Sequence, residues 1–191
     1  MSDLVFDRFR AGQLEQVERF SAQCSRLSCE QVATGTTAAP DAVAVTLDCK
    51  YLVKDEVGVR LGRGPCHFGL RMPSDYLRRT FDHPGQIVSL IAPTTVWHPN
   101  IRWPFFCLGH INPGTPLVEL IVRVADVLTF QRFTSIEKEA LNGDACVWVR
   151  AHMDEVPLEI RPLRDDGVVR ESTAGGLLDL DLEALSPGAR T

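Results

Sequence analysis

Two different periods of apolar residues divide this chain. Phe6, Phe9, Val17, Phe20, Cys24 and Leu27 recur at steps of three, four and eight, while Glu15, Glu18, Arg19 and Gln23 fall off that stripe. One apolar face at this spacing predicts an amphipathic helix running through Leu27. Thr34 to Asp41 is a loop of small residues. The period then drops to two. Val43, Val45, Leu47, Cys49, Tyr51 and Val53 alternate with small or polar neighbours, the signature of a half-buried strand. Val57, Val59 and Leu61 resume the alternation after an acidic turn at Asp55-Glu56, and Gly62-Arg63-Gly64-Pro65 reads as a further turn. Cys66, Phe68, Leu70 and Met72 form a third alternating run that Pro73 stops, and Ile87 to Ile91 is a fourth strand. The order predicts an α+β chain: an N-terminal helix, then a four-stranded antiparallel meander.

After Pro93 the alternation ends. Residues 93–116 are rich in proline and carry Trp97 and Trp103, an irregular segment of the kind where sites are often built. Thr115-Pro116 predicts the start of a helix, with Thr115 as its cap and Pro116 in its first turn. Leu117, Leu120, Ile121, Val124, Val127 and Leu128 give that helix a wide apolar face. Asp144 is placed to cap a last helix carrying Ala145, Trp148, Val149 and His152. From Arg164 the chain becomes charged, and Leu178, Leu180 and Leu182 alternate with acids after Gly175-Gly176. The expected division is a domain over 1–163 and a tail over 164–191, either loosely held or docked on the core or on a partner.

Composition narrows the function classes. At 191 residues the chain fits one domain with a sizeable core. A formal net charge of −5 argues against a nucleic-acid footprint. No apolar run is long enough to span a bilayer and residues 1–10 do not read as a signal peptide, so a cytoplasmic protein without membrane contact is expected. The six cysteines, at 24, 29, 49, 66, 107 and 146, contain no Cys-x-x-Cys pair and read as free thiols. Cys24, Cys49, Cys66 and Cys146 lie on periodic segments, where a small buried apolar side chain is the ordinary reading.

Cys107 differs, because His98-Pro99-Asn100-Ile101 stands just before it. A thiol beside a fixed side-chain amide suits acyl transfer: sulfur carries the acyl group and the amide donates to the oxyanion formed on attack. His98-Pro99-Asn100-Ile101 followed by Cys107-Leu108 resembles the active-site segment of ubiquitin-conjugating enzymes. Further marks run in the same order. His83-Pro84 stands where that family carries Tyr-Pro, Thr115-Pro116-Leu117 matches the Ser-Pro-Ala start of the helix behind the site, and Leu141-Asn142 with Ala145 matches the opening of the next helix. The resemblance covers about residues 4–155 and is specific between His83 and Ala145.

The resemblance implies the ubiquitin-conjugating-enzyme fold and a carrier enzyme. Cys107 would accept a ubiquitin-like modifier from an activating enzyme as a thioester and pass it to a nucleophile, such as an amine, on a target protein. ATP would be consumed by the activating enzyme; the chain itself would use no cofactor and no metal. Asn100 would donate to the oxyanion, where loss of one donor typically costs ~10²–10³ in rate, or hold the neighbouring loop as a turn residue. His98, with Pro99, would keep the turn in shape rather than act as a base. Glu139 stands where the family's acidic residue orients or deprotonates the incoming lysine, although a solvated charge at a helix end fits it equally well. His110 would tune the thiol or be a plain loop histidine.

The chain also departs from the family pattern. Arg102-Trp103-Pro104-Phe105-Phe106 is bulky and lacks the usual glycine, Asn112-Pro113-Gly114 replaces the tryptophan after the catalytic segment, and Gln86-Ile87-Val88 replaces a double proline. These differences suggest the divergent ubiquitin-conjugating-like proteins of bacteria, and with them a partner set of modifier, activating enzyme and deconjugating metallopeptidase in antiphage defence. Trp103, Phe105 and Phe106 would pack under the active-site loop or form an exposed patch for a partner. Three other readings remain: a non-catalytic module that binds a modifier, a cysteine hydrolase pairing Cys107 with His98 or His110, and a metal site on Cys107 and His110, which lacks two further ligands.

Overall fold

Asp3 opens the first helix. Its carboxylate accepts the backbone N–H groups of Val5 and Phe6, two of the donors that a helix start leaves without partners. In a computed structural model that describes residues 3–34, 40–82, 84–159 and 163, helix α1 runs over Leu4–Ala22 and buries Phe6, Leu14, Val17 and Phe20. The expected extension through Leu27 does not form. Gln23 ends the helix, and Leu27 begins a strand, β1 (Leu27–Val32), that the helical spacing of Cys24 and Leu27 concealed. Both residues are buried, so the apolar periodicity reported burial correctly and conformation wrongly.

The sheet has the order β1-β2-β3-β4 and every pairing is antiparallel, with β2 at Ala42–Lys54, β3 at Val59–Arg71 and β4 at Val88–Ala92. Four strands were expected, but their membership differs. The turn read at Gly62-Arg63-Gly64-Pro65 is absent, and β3 passes straight through it opposite Asp48 to Tyr51. The reason lies in what flanks each half of β3. Only His67 to Leu70 pair with β4, so Pro65 sits where the strand has β2 on one side alone and its missing N–H breaks no ladder bond there. Gly62 faces Tyr51 across the ladder, and the tyrosine ring occupies the space where a Cβ would stand.

Helix α2 (Leu117–Leu128) is the centre of the core. Leu117, Leu120, Ile121, Val124, Val127 and Leu128 are all buried, as their spacing predicted. It packs against α1 and against β2. Its cap is not Thr115, whose hydroxyl donates instead to the carbonyl of Asn112 at 2.8 Å. The helix start is satisfied from α1: buried Gln13 accepts the Leu117 N–H on Oε1 at 2.9 Å. The last helix, α3 (Gly143–Ala151), is capped by Asn142, which accepts from the Ala145 N–H at 3.1 Å; Asp144 falls one position inside and His152 just beyond the end. Leu163 is buried in the same core, and the tail expected over 164–191 lies outside the described residues. No helix among the described residues is long and apolar enough to cross a membrane.

Gln13 thus links two helices through one buried hydrogen bond. Gln13→Leu keeps the volume and leaves the Leu117 N–H without a partner, so the unfolding free energy should fall by about 1–3 kcal/mol. Urea unfolding checks this, and an unchanged midpoint would show that the bond does not anchor α2.

Candidate active site

The segment that carries the site begins as an addition to the sheet. The Lys54 N–H donates to the Thr95 carbonyl at 3.1 Å and the Trp97 N–H to the Leu52 carbonyl at 2.7 Å, so residues 95–97 lie along the end of β2. The chain then turns at His98-Pro99-Asn100, closed by the Ile101 N–H donating to the His98 carbonyl at 3.1 Å. A short hairpin follows, β5 (Ile101–Arg102) and β6 (Phe105–Phe106), joined through a cis Trp103-Pro104 bond. The Leu90 N–H of β4 donates to the Pro104 carbonyl at 2.8 Å, which fastens the hairpin to the sheet edge.

Cys107 is the residue directly after β6 and continues its ladder. Its N–H donates to the Asn100 carbonyl at 2.7 Å, and the Asn100 Nδ2 group donates back to the Cys107 carbonyl at 3.3 Å. Asn100 Oδ1 accepts the Thr134 N–H at 2.8 Å, and the Asn142 N–H donates to the Pro99 carbonyl at 3.1 Å. One buried amide therefore ties the hairpin to the loop after α2, and that loop continues to Leu141-Asn142 on the other flank of the turn. Of the two roles expected for Asn100, this geometry is the loop-holding one. A second N–H on Nδ2 is left to donate elsewhere.

His98 is held in the same turn and is fully buried. Nδ1 accepts the Asn100 N–H at 2.9 Å, so the neutral ring carries its proton on Nε2, a buried atom with no hydrogen-bond partner among the described residues. The ring lies against Phe130, centroids 4.2 Å apart. Phe130 is itself unusual: it follows the end of α2 with φ of 57°, a left-handed backbone that costs a bulky residue energy and is kept here by burial of its ring. Burial pushes the His98 pKa down to about 3. The histidine makes no hydrogen bond to Cys107, and its structural position agrees with the turn-holding role.

Cys107 is partly exposed and lines a groove of about 440 Å³ together with Asp82, Gln86, Phe105, Phe106 and Leu141. The other cysteines assigned to the core, Cys24, Cys49, Cys66 and Cys146, are buried. The aromatic run after Arg102 divides: Phe106 is buried under the hairpin, whereas Trp103 and Phe105 are about half exposed, at 54% and 51%. Glu139 ends a 3-10 turn over Glu137–Glu139, two residues before groove-lining Leu141. It is exposed and has no ion-pair partner among the described residues, whereas Glu137 meets Arg150 at 3.3 Å. His110 is exposed, with Nδ1 3.0 Å from the Asp82 carboxylate. It reaches the groove only through Asp82, which is brought there because Phe81 and Ile111 exchange backbone hydrogen bonds of 2.9 and 3.2 Å.

Asp82, Thr134 and Phe130 belong to the site's surroundings and carried no sequence signal. Thr134 contributes through its backbone, and the other two depend on tertiary pairing. His83, the first residue of the His83-Pro84 mark, lies outside the described residues. Among the described residues no three His, Cys, Asp or Glu side chains gather as a metal site would require. Comparison of the chain with protein-family models, with curated proteins and with solved structures finds no match.

The buried histidine gives a pH dependence of known sign. Its folded-state pKa is lowered from the ordinary 6.5, so the unfolded chain binds a proton that the folded chain does not. The stability it supports is complete above about pH 6.5 and is lost as pH falls toward 3. His98→Asn retains an acceptor for the Asn100 N–H and does not titrate. The stability difference between the two proteins should shrink by about 2 kcal/mol between pH 7.5 and pH 5. Urea unfolding at both values checks it, and a constant difference would contradict the burial of a neutral ring.

Proposed function

We propose that the chain is a ubiquitin-conjugating-like carrier with that family's fold, holding a ubiquitin-like modifier as a thioester on Cys107. The observation that carries the reading is one partly exposed cysteine in the lining of an apolar groove, with its backbone clamped on both sides by Asn100. A carrier needs a sulfur that large partners can reach and that stays in one position while they exchange.

The activating enzyme uses ATP and presents the modifier as a thioester. Cys107 Sγ attacks that carbonyl and loses its proton, the bond to the donor sulfur breaks, and the donor leaves as a thiol. A target amine then attacks the Cys107 thioester, giving a tetrahedral oxyanion that collapses to an amide and returns the Cys107 thiol. Asn100 contributes first by fixing the loop; its remaining N–H is a candidate donor for the oxyanion. Glu139 offers a free carboxylate on the segment leading to Leu141, suited to accept a proton from the amine. His98, buried and neutral, takes no part in proton transfer. A cysteine hydrolase is disfavoured because neither His98 nor His110 hydrogen-bonds Cys107 among the described residues.

The test uses the cognate activating enzyme, modifier and ATP on a non-reducing gel. The wild type should give a shifted band that dithiothreitol removes, Cys107→Ala should give none, and Cys107→Ser should give an oxyester band that survives reductant. Modifier binding without any covalent band would assign the chain to the non-catalytic modules instead.

A further inference from the structure

Phe105 is exposed for a reason that lies in the backbone beneath it. A Cβ at Gly85 would stand 2.4 Å from Cδ1 and 2.9 Å from Cε1 of the Phe105 ring, so only glycine allows the ring to lie on this 3-10 turn over Pro84–Gln86. One side of the ring lies close to Gly85, and the residue as a whole remains 51% exposed. The ring belongs to the same groove as the Cys107 thiol. In an extended strand residues i and i+2 point to one face and lie roughly 7 Å apart. The burial along the chain follows this alternation: Phe105 exposed, Phe106 buried, Cys107 partly exposed. The aromatic face and the sulfur are therefore neighbours on one surface, two residues apart.

Phe105, Phe106 and Leu141 give the groove around Cys107 an apolar wall. Asp82 is already in contact with His110, and the remaining charged lining residue, Arg102, has no ion-pair partner among the described residues and stands at the hairpin. An acyl chain joined to Cys107 and lying extended in the groove would bring its second or third residue over Phe105, since each residue spans roughly 3.4 Å. A large aliphatic side chain at that place would cover the exposed ring face, and a small polar one would leave it wet.

We propose that Phe105, seated on Gly85, is a specificity shelf that selects acyl donors with large apolar side chains at the second and third residues from the thioester carbonyl. This rests on the carrier reading of Cys107 and adds to it the class of C-terminal segment that is accepted. Phe105 is a positioning residue for the donor; it touches no reacting atom.

The assignment is testable without the natural modifier. The probes are two mercaptoethanesulfonate thioesters, of acetyl-Leu-Leu-Gly and of acetyl-Ser-Ser-Gly. In the exchange Cys107 Sγ gives up its proton and bonds to the glycine carbonyl carbon, the bond to the probe sulfur breaks, and mercaptoethanesulfonate leaves carrying a proton. Intact-mass spectrometry with peptide mapping gives the rate of acylation at Cys107 for each probe. The wild type should favour the leucine probe by about tenfold. Phe105→Ala should bring the ratio of the two rates close to one. Gly85→Ala retains the phenylalanine and displaces its ring, and should lower the ratio in the same direction; thermal melts confirm that each variant is folded. Equal rates for the two wild-type reactions, or an unchanged ratio in both variants, would overturn the shelf while leaving the carrier reading in place. Failure of both probes to acylate Cys107, with the same mass change in Cys107→Ala, would overturn the carrier reading and the shelf together.

Discussion

The amide of Asn100 is the joint on which the site depends. It meets Cys107 from both sides, through its own backbone carbonyl and through Nδ2, and its Oδ1 takes the Thr134 N–H from the loop beyond α2. Asn100 is buried and its side-chain bonds are shielded on that side from water, so losing a partner is costly. Aspartate could not replace it, because the group facing the Cys107 carbonyl must be a donor. The arrangement ties the position of Cys107 to one residue, whose side chain joins two pieces of backbone and whose own carbonyl holds the Cys107 N–H.

The rest of the molecule holds that meeting point in place. Residues 95–97 pair with the end of β2, Pro104 is bonded to β4, and the loop carrying Thr134 follows an α2 helix whose apolar face fills the core. Gln13 fixes the start of α2 from α1, and Phe130 at its far end packs beneath His98. The His98 ring accepts the Asn100 N–H, so the turn and the core share one buried contact. Rigid elements thus supply the precision that a loop site lacks alone.

Much of this was legible in the chain, and the failures have identifiable causes. β2 and the buried face of α2 could be read directly because the apolar residues of each recur at the period of the element over most of its length. The His98-Pro99-Asn100-Ile101 segment and Cys107 could be picked out because a proline turn, an amide and a thiol lie close together in sequence. β1 was hidden because its burial scarcely alternates and Leu27 continues the helical spacing by coincidence. Gly62 to Pro65 resembled a turn because glycine and proline usually mark one; here Tyr51 uses the space above one glycine, and the proline lies where β3 has β2 on one side and no strand on the other. Neither expected cap is the one used: Gln13 of α1 satisfies the start of α2 from a distance the local sequence does not encode, and Asn142, two positions before Asp144, caps α3. The support given by Thr134, Asp82 and Phe130 comes from long-range pairing, which no local pattern encodes.

Six free thiols in one chain allow the central claim to be measured directly, by the rate at which each reacts with iodoacetamide in the folded protein. Cys24, Cys49, Cys66 and Cys146 are buried, and burial pushes the pKa of half-covered Cys29 up to about 11, which leaves little thiolate at neutral pH. Time-resolved labelling followed by peptide mapping should therefore find Cys107 modified first and well ahead of the other five. Labelling of Cys107 as slow as that of the buried thiols would contradict a reachable sulfur at the groove, and with it the role assigned to the site.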